Sequence, residues 1–125
     1  MARLITLGMV ILLISCTSSG YLSLGELVTS NQSSLSHISI GMNRSTVLNL
    51  MKSSAAKTGD GIVNNPWLTE AFIGKDGSQY EVLHYITRNN QPFTPIRKSL
   101  ATKVVFKDGK VVGWGENADE QYKSP

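Results

Sequence analysis

Few residues in this chain are of types that do chemistry. It carries one cysteine, Cys16, and two histidines, His37 and His84. A lone thiol excludes an internal disulfide and any cysteine-rich zinc site, which takes several thiolates at close spacing. As a nucleophile Cys16 has no cationic neighbour in sequence to lower its pKa, so attachment is the better role for it. His84 sits inside VLHYI and reads as a hydrogen-bonded or solvated strand histidine, not a general base. Glu70 and Glu81 are placed to face each other across a hairpin, yet two carboxylates without a cleft are ordinary surface charges. Asp76 and Asp108 have a sufficient role as turn formers. No serine lies in a Gly-x-Ser-x-Gly elbow, and no paired-histidine metal spacing occurs. These patterns predict no enzyme, no cofactor, no metal and no small-molecule substrate.

The residues before Cys16 explain its place. Met1-Ala2-Arg3 is a short positive start, and Leu4 to Ile14 is apolar apart from Thr6 and Gly8. About 11 such positions suit a signal-peptide core and fall short of the ~20 that span a bilayer. The run has no polar stripe, unlike an amphipathic helix of a folded domain. At its end, Leu13-Ile14-Ser15-Cys16 resembles a bacterial lipobox: aliphatic, variable, small, cysteine. Leu13, Ile14 and Ser15 are then the signal-peptidase recognition residues, residues 1–15 the signal peptide, and Cys16 the lipid attachment site. Several acyl chains on one cysteine make a stable anchor. The resemblance to Gram-negative lipoproteins implies that Thr17, in place of aspartate, favours the periplasmic side of the bacterial outer membrane. An ordinary secretory signal and an uncleaved anchor are the competing readings.

With 41% hydrophobic and 17% charged residues, the chain has the composition of a globular domain rather than a disordered one. A length of 125 residues is one domain's worth. The net charge of +3 is spread singly apart from Arg97-Lys98, so the dense basic face of a nucleic-acid binder is missing.

Residues 16–34, rich in Ser, Thr, Gly and Asn, read as the lipidated cysteine and a flexible tether. Asn31 to Ile38 is either a short helix or further linker. Asn43 can cap a helix from Arg44, with Val47, Leu50, Met51 and Ala55 on one stripe and Gly59 closing it. TGDGIVNNP, residues 58–66, reads as a loop. Two hairpins follow, each with Lys-Asp-Gly between apolar runs. A three-residue Lys107-Asp108-Gly109 turn pairs Phe106 with Lys110 and Val104 with Val112, which gathers Val104, Phe106, Val112 and Trp114 on one face. In the first hairpin Phe72, Tyr80, Val82 and Ile86 share a face, with Leu83 and Tyr85 opposite. A strand apolar on both sides is covered twice or meets a partner, which makes Leu83 and Tyr85, with Trp67 after Pro66, the partner-binding candidates. Asn89 to Ser99 is an exposed connection, and residues 117–125 are a polar tail expected to fray.

Gly41-Met42, Val47 on a helix and a meander ending in TKVVFKDGKVVGWG resemble the SmpA/OmlA-type lipoprotein domain, which includes the small lipoprotein of the barrel-assembly machinery. NPWLTEAF, YEVLHYITR and VFKDGKVVGWG are similar to an uncharacterised set of bacterial lipoproteins of that design. The resemblance implies an α+β fold over residues 35–116. In it two N-terminal helices, the first short, pack on one face of a three- to four-stranded antiparallel β-meander. The expected function is a lipid-anchored, non-enzymatic protein-binding module of the cell envelope, supporting outer-membrane assembly or integrity, with an envelope protein as partner. The alternative is an inhibitor that blocks a periplasmic enzyme with the Asn89–Ser99 loop.

Overall fold

Two asparagines, one per flank of the helical layer, show how the chain is closed. In the computed structural model, which describes residues 20–125, Asn31 and Asn65 are buried and bond each other in both directions, at 2.9 and 3.1 Å. Cys16 and the Leu13, Ile14 and Ser15 before it lie outside the described residues. Asn31 sits on helix α1 (Leu24–Leu35), and its amide also reaches the carbonyl of Ile86 at 2.9 Å. Asn65 donates to the carbonyls of Met51 and Lys52 at 3.0 and 2.9 Å, satisfying the end of helix α2 (Arg44–Met51). Helix, helix, loop and sheet thus meet at one amide pair.

α1 occupies the segment read as tether. Its start is Ser23, whose hydroxyl accepts from the Glu26 backbone N–H and donates to the Glu26 carboxylate. Leu24, Leu27, Val28, Asn31 and Leu35 fall on one helical stripe, of which the last four are buried. The expected helix from Asn31 to Ile38 is therefore the end of a longer one. α2 begins at Arg44 as the Asn43 boundary predicts, but it stops at Met51 instead of continuing to Ala55. Lys52 turns the chain with φ 61°, and Ala56 is needed elsewhere.

Ala56 opens a small hairpin, β1 (Ala56–Thr58) with β2 (Gly61–Val63), in a segment read as loop. The chain before α1 joins it: Leu22 N–H donates to Ala55 and Leu22 C=O accepts from Lys57, at 2.9 and 3.0 Å. The main sheet is a four-stranded antiparallel meander of β3 (Leu68–Ile73), β4 (Gln79–Ile86), β5 (Ala101–Lys107) and β6 (Lys110–Gly115), in that order. The α+β fold is as expected: both helices pack on one face of the meander, although the first helix is the longer.

The last hairpin differs from its expected register. Lys107 pairs with Lys110 across a two-residue Asp108-Gly109 turn, both with positive φ, 52° and 74°. That is the turn geometry matching strand twist. A two-residue turn would split the apolar set, and the chain repairs this with a bulge between Val105 and Phe106. Phe106 then pairs with Val111, and Val105 with Gly113. Val111, Phe106 and Val104 join Leu83, Tyr85, Leu35, Ile38, Val47 and Met51 under the helices. Trp114 pairs with Val104 at the edge and stays 41% exposed, so it is not the core residue expected.

The opposite face of the sheet is covered as well, by the tail expected to fray. Ala118 and Tyr122 pack on Tyr80, Val82 and Val105. Tyr80 is sandwiched between Phe72 and Tyr122, with ring centroids 5.2 and 4.8 Å away. Tyr122 C=O also accepts from the Lys75 N–H at 2.9 Å. The double coverage answers why β4 is apolar on both sides: it is central.

Two stability outcomes follow. Asn65→Ala strands the Asn31 amide and two carbonyls at the end of α2, and should lower unfolding free energy by about 2–4 kcal/mol in urea titration. Gly74→Ala places a Cβ 2.3 Å from a Tyr80 ring carbon that its two stacked neighbours hold in place. It should cost about 1–3 kcal/mol by the same measurement.

Candidate functional site

Three regions hold most of the remaining polar and exposed chemistry. The first lies on the tail side of the sheet. Strand register puts His84 between Leu68 and Lys103, and the ring is 1% exposed. Its Nε2 lies 3.0 Å from Glu70 Oε1, which also receives Lys98 Nζ at 2.7 Å. Burial pushes the His84 pKa below its ordinary value, against a weaker upward pull from Glu70. The contact is therefore a hydrogen bond from a neutral imidazole, not an ion pair, and Nδ1 is left buried with no partner among the described residues. Lys98 holds Glu70 below the usual carboxylate range. Beside them Asp119, 2% exposed, accepts from Lys103 at 2.9 Å and Lys123 at 2.7 Å. Burial works to raise this carboxyl, but the two lysines outweigh it and keep it charged. The network ties the tail to β5 and the 3₁₀ turn Lys98–Leu100 to β3, which is a structural task.

The second region is a cleft of about 260 Å³ on the helix side, lined among others by Arg44, Ala71, Gln79, Glu81 and Phe106. Arg44 and Glu81 form an ion pair there. Glu70 and Glu81 thus point to opposite faces of the sheet, with different cations, and do not face each other as the hairpin reading allowed. Tyr85 lies beneath, its hydroxyl unbonded among the described residues and its pKa pushed up to about 12 by burial. Beside the cleft runs β3, the open edge of the sheet. The other edge is partly closed, because Gly41, Met42 and Arg44 bond the backbone of β6 and its turn. On β3, Thr69, Ala71 and Ile73 are exposed on the helix side, Ile73 at 66%. Both helices leave that strip uncovered.

The third region is the Asn89–Ser99 connection. Phe93 stands at its tip, 93% exposed, with φ 63°. Asn90 donates its side-chain amide to the carbonyls of Thr94 and Pro95, which holds the loop in shape.

Of the expected partner-binding residues, none forms a free surface patch. Leu83 and Tyr85 are fully buried under the helices, because their side of β4 carries the main core. Trp67 is half-buried against Leu27, Val28 and Ala56. Ile73 and Phe93, exposed on β3 and on the Asn89–Ser99 connection, were not singled out in the sequence, nor was the buried Asp119. The Arg97-Lys98 pair and the two prolines around Phe93 were visible signals; the edge position of β3 was not.

A family model described as "Protein of unknown function (DUF3192)" matches residues 25–121. The chain belongs to the DUF3192 family. No curated protein and no solved structure matches it. The DUF3192 span takes in all but the first residue of α1 and reaches into the 3₁₀ turn Glu120–Tyr122, so residues 25–34 and 117–121, read as tether and tail, belong to the domain.

The His84 network has a pH signature. The unfolded histidine takes a proton near its ordinary pKa of 6.5, whereas the folded one resists it. The contribution is complete above that pH and is lost as pH falls from there through the folded pKa. Glu70 and Asp119 add losses of the same sign at lower pH. The urea midpoint should therefore drop between pH 7 and about pH 5, and His84→Gln should flatten that drop. An equal drop in both proteins would remove His84 as its source.

Proposed function

We propose that this DUF3192 chain is a lipid-anchored envelope protein whose domain is a non-enzymatic docking module. The observation that carries the docking half is the open edge of β3 with its uncovered strip of Thr69, Ala71 and Ile73. An exposed strand edge offers unpaired backbone donors and acceptors to an extended segment of another protein, and the strip beside it gives side-chain contact. Strand edges are commonly guarded by lysine or proline; this strip has neither. The cleft at Arg44 and Glu81 adjoins Ala71 and would seat a polar side chain of the incoming strand.

The anchoring half is supported by Leu13-Ile14-Ser15-Cys16 at the end of an apolar run. Lipid on Cys16 would hold the domain at the periplasmic face of the outer membrane, where confinement raises effective concentration and a weak interface suffices. The helix pair on an antiparallel meander is also what the likeness to SmpA/OmlA-type lipoproteins implies, and supports kinship of design with them.

Two measurements test this reading. Intact-mass analysis of protein from membranes should find an acylated chain beginning at Cys16. A photo-crosslinking residue at Thr69 should trap one defined envelope protein in cells, with no adduct from Thr29 on α1. Ala71→Lys with Ile73→Lys should abolish the adduct while shifting stability by only about 0.5 kcal/mol, since both sites are exposed. Adducts that persist in the double variant would reject the edge as the docking surface.

A further inference from the structure

The Asn89–Ser99 loop, the first turn of α1 and the β1–β2 turn line one hollow of about 170 Å³, through Leu24, Lys57, Asp60, Phe93 and Ile96 among others. These elements form one pole of the domain, at the end of β4 and the start of β5. Phe93 projects from it at 93% exposure, and Tyr21, three residues before Leu24, is 49% exposed. Ile62, the register partner of Lys57, is 46% exposed. Lys57 and Arg97 are exposed at the same pole and form no ion pair among the described residues. Aromatic rings flanked by unpaired cations are the composition of a surface that meets lipid headgroups: the ring enters the headgroup–acyl boundary and the cations meet phosphates. Backbone strain at Phe93, a non-glycine residue with positive φ, is retained by the Asn90 bonds that aim the ring outward.

Chain length decides which surface this pole meets. Leu22 is pinned to β1, and only four residues lie between Tyr21 and Cys16, a span of five Cα–Cα steps. At ~3.6 Å per residue the leash is at most about 18 Å. A domain of this size has a radius of gyration of about 13 Å, so a leash that short keeps Cys16 near the flank of β1 beside this pole, away from the far end of the sheet. We propose that this pole rests on the phospholipid bilayer, with Phe93 inserted and Tyr21, Lys57 and Arg97 at the headgroups. The proposal rests on the lipid-anchor reading and extends it: the domain is oriented on the membrane, not merely tied to it. It also assigns the Asn89–Ser99 loop to lipid, in place of the enzyme-blocking role considered from sequence.

The test uses the full chain purified from membranes and reconstituted into phosphatidylethanolamine–phosphatidylglycerol vesicles. A polarity-sensitive fluorophore is placed on Phe93→Cys, its position mapped by peptide digestion. Ser45→Cys serves as control, at the far end of the sheet where Arg44 N–H meets the Gly109 carbonyl. The label at 93 should shift to the blue and be quenched by brominated lipid, while that at 45 stays water-like. A water-like label at 93 on a chain shown by mass to be acylated overturns the proposal and leaves the anchor standing. A blue shift on an unacylated chain after vesicle addition supports the lipid contact and sinks the anchor. A shift that needs a co-purified envelope protein and is lost in lipid-only vesicles overturns the proposal in favour of a protein partner.

Discussion

The reciprocal amide pair of Asn31 and Asn65 is the contact on which the rest of the fold depends. A buried carboxamide has two donors and an acceptor to satisfy, and each partner here meets its needs only while the other is in place. Through them α1 is held to β4, and the carbonyls of Met51 and Lys52 at the end of α2 are capped by a residue fourteen and thirteen positions further on. Without that cap, the abrupt stop of α2 at Met51 would leave unsatisfied carbonyls inside the structure. The β1–β2 hairpin and the seating of Leu22 beside it are set by where α2 stops.

That dependence explains what could be read from sequence and what could not. The meander, the α2 start at Asn43 and the shared face of Phe72, Tyr80 and Val82 were legible, because each follows from local periodicity or turn chemistry. The first two turns of α1 were missed although Ser23-x-x-Glu26 is a helix-start signature. Its apolar stripe is interrupted by Asn31, and a polar residue on a buried stripe makes sense only once Asn65 is known to face it. The tail was misread for the same reason: Asp119 and Tyr122 look like surface residues until Lys103 and Tyr80 are set beneath them. The last register slipped because the bulge between Val105 and Phe106 leaves no mark in composition. Edge exposure on β3 and the isolation of Phe93 are properties of the assembled sheet, so no spacing rule reveals them.

The electrostatics divide the sheet into two unlike faces. On the tail side, charges are consumed in closing the structure: Lys98 with Glu70, Lys103 and Lys123 with Asp119, Lys107 with Asp76. On the helix side, Arg44 and Glu81 form a partly exposed pair beside the open strand. Of the tail-side charges only Asp119 is buried; the pair at Arg44 and Glu81 is no more exposed than Lys98 with Glu70, and differs in lying beside an unpaired strand edge. The pole at Phe93 and the exposed strip of β3 lie on different parts of the surface, so the two proposed roles need not exclude each other.

The covering of the second sheet face by Ala118, Asp119 and Tyr122 has a consequence for the order of events in making the protein. Ala118 and Tyr122 complete the cover over Tyr80, Val82 and Val105 that Phe72 and Val112 begin. As the chain is made, that face of the sheet therefore stays partly uncovered until residues 118–122 follow the meander.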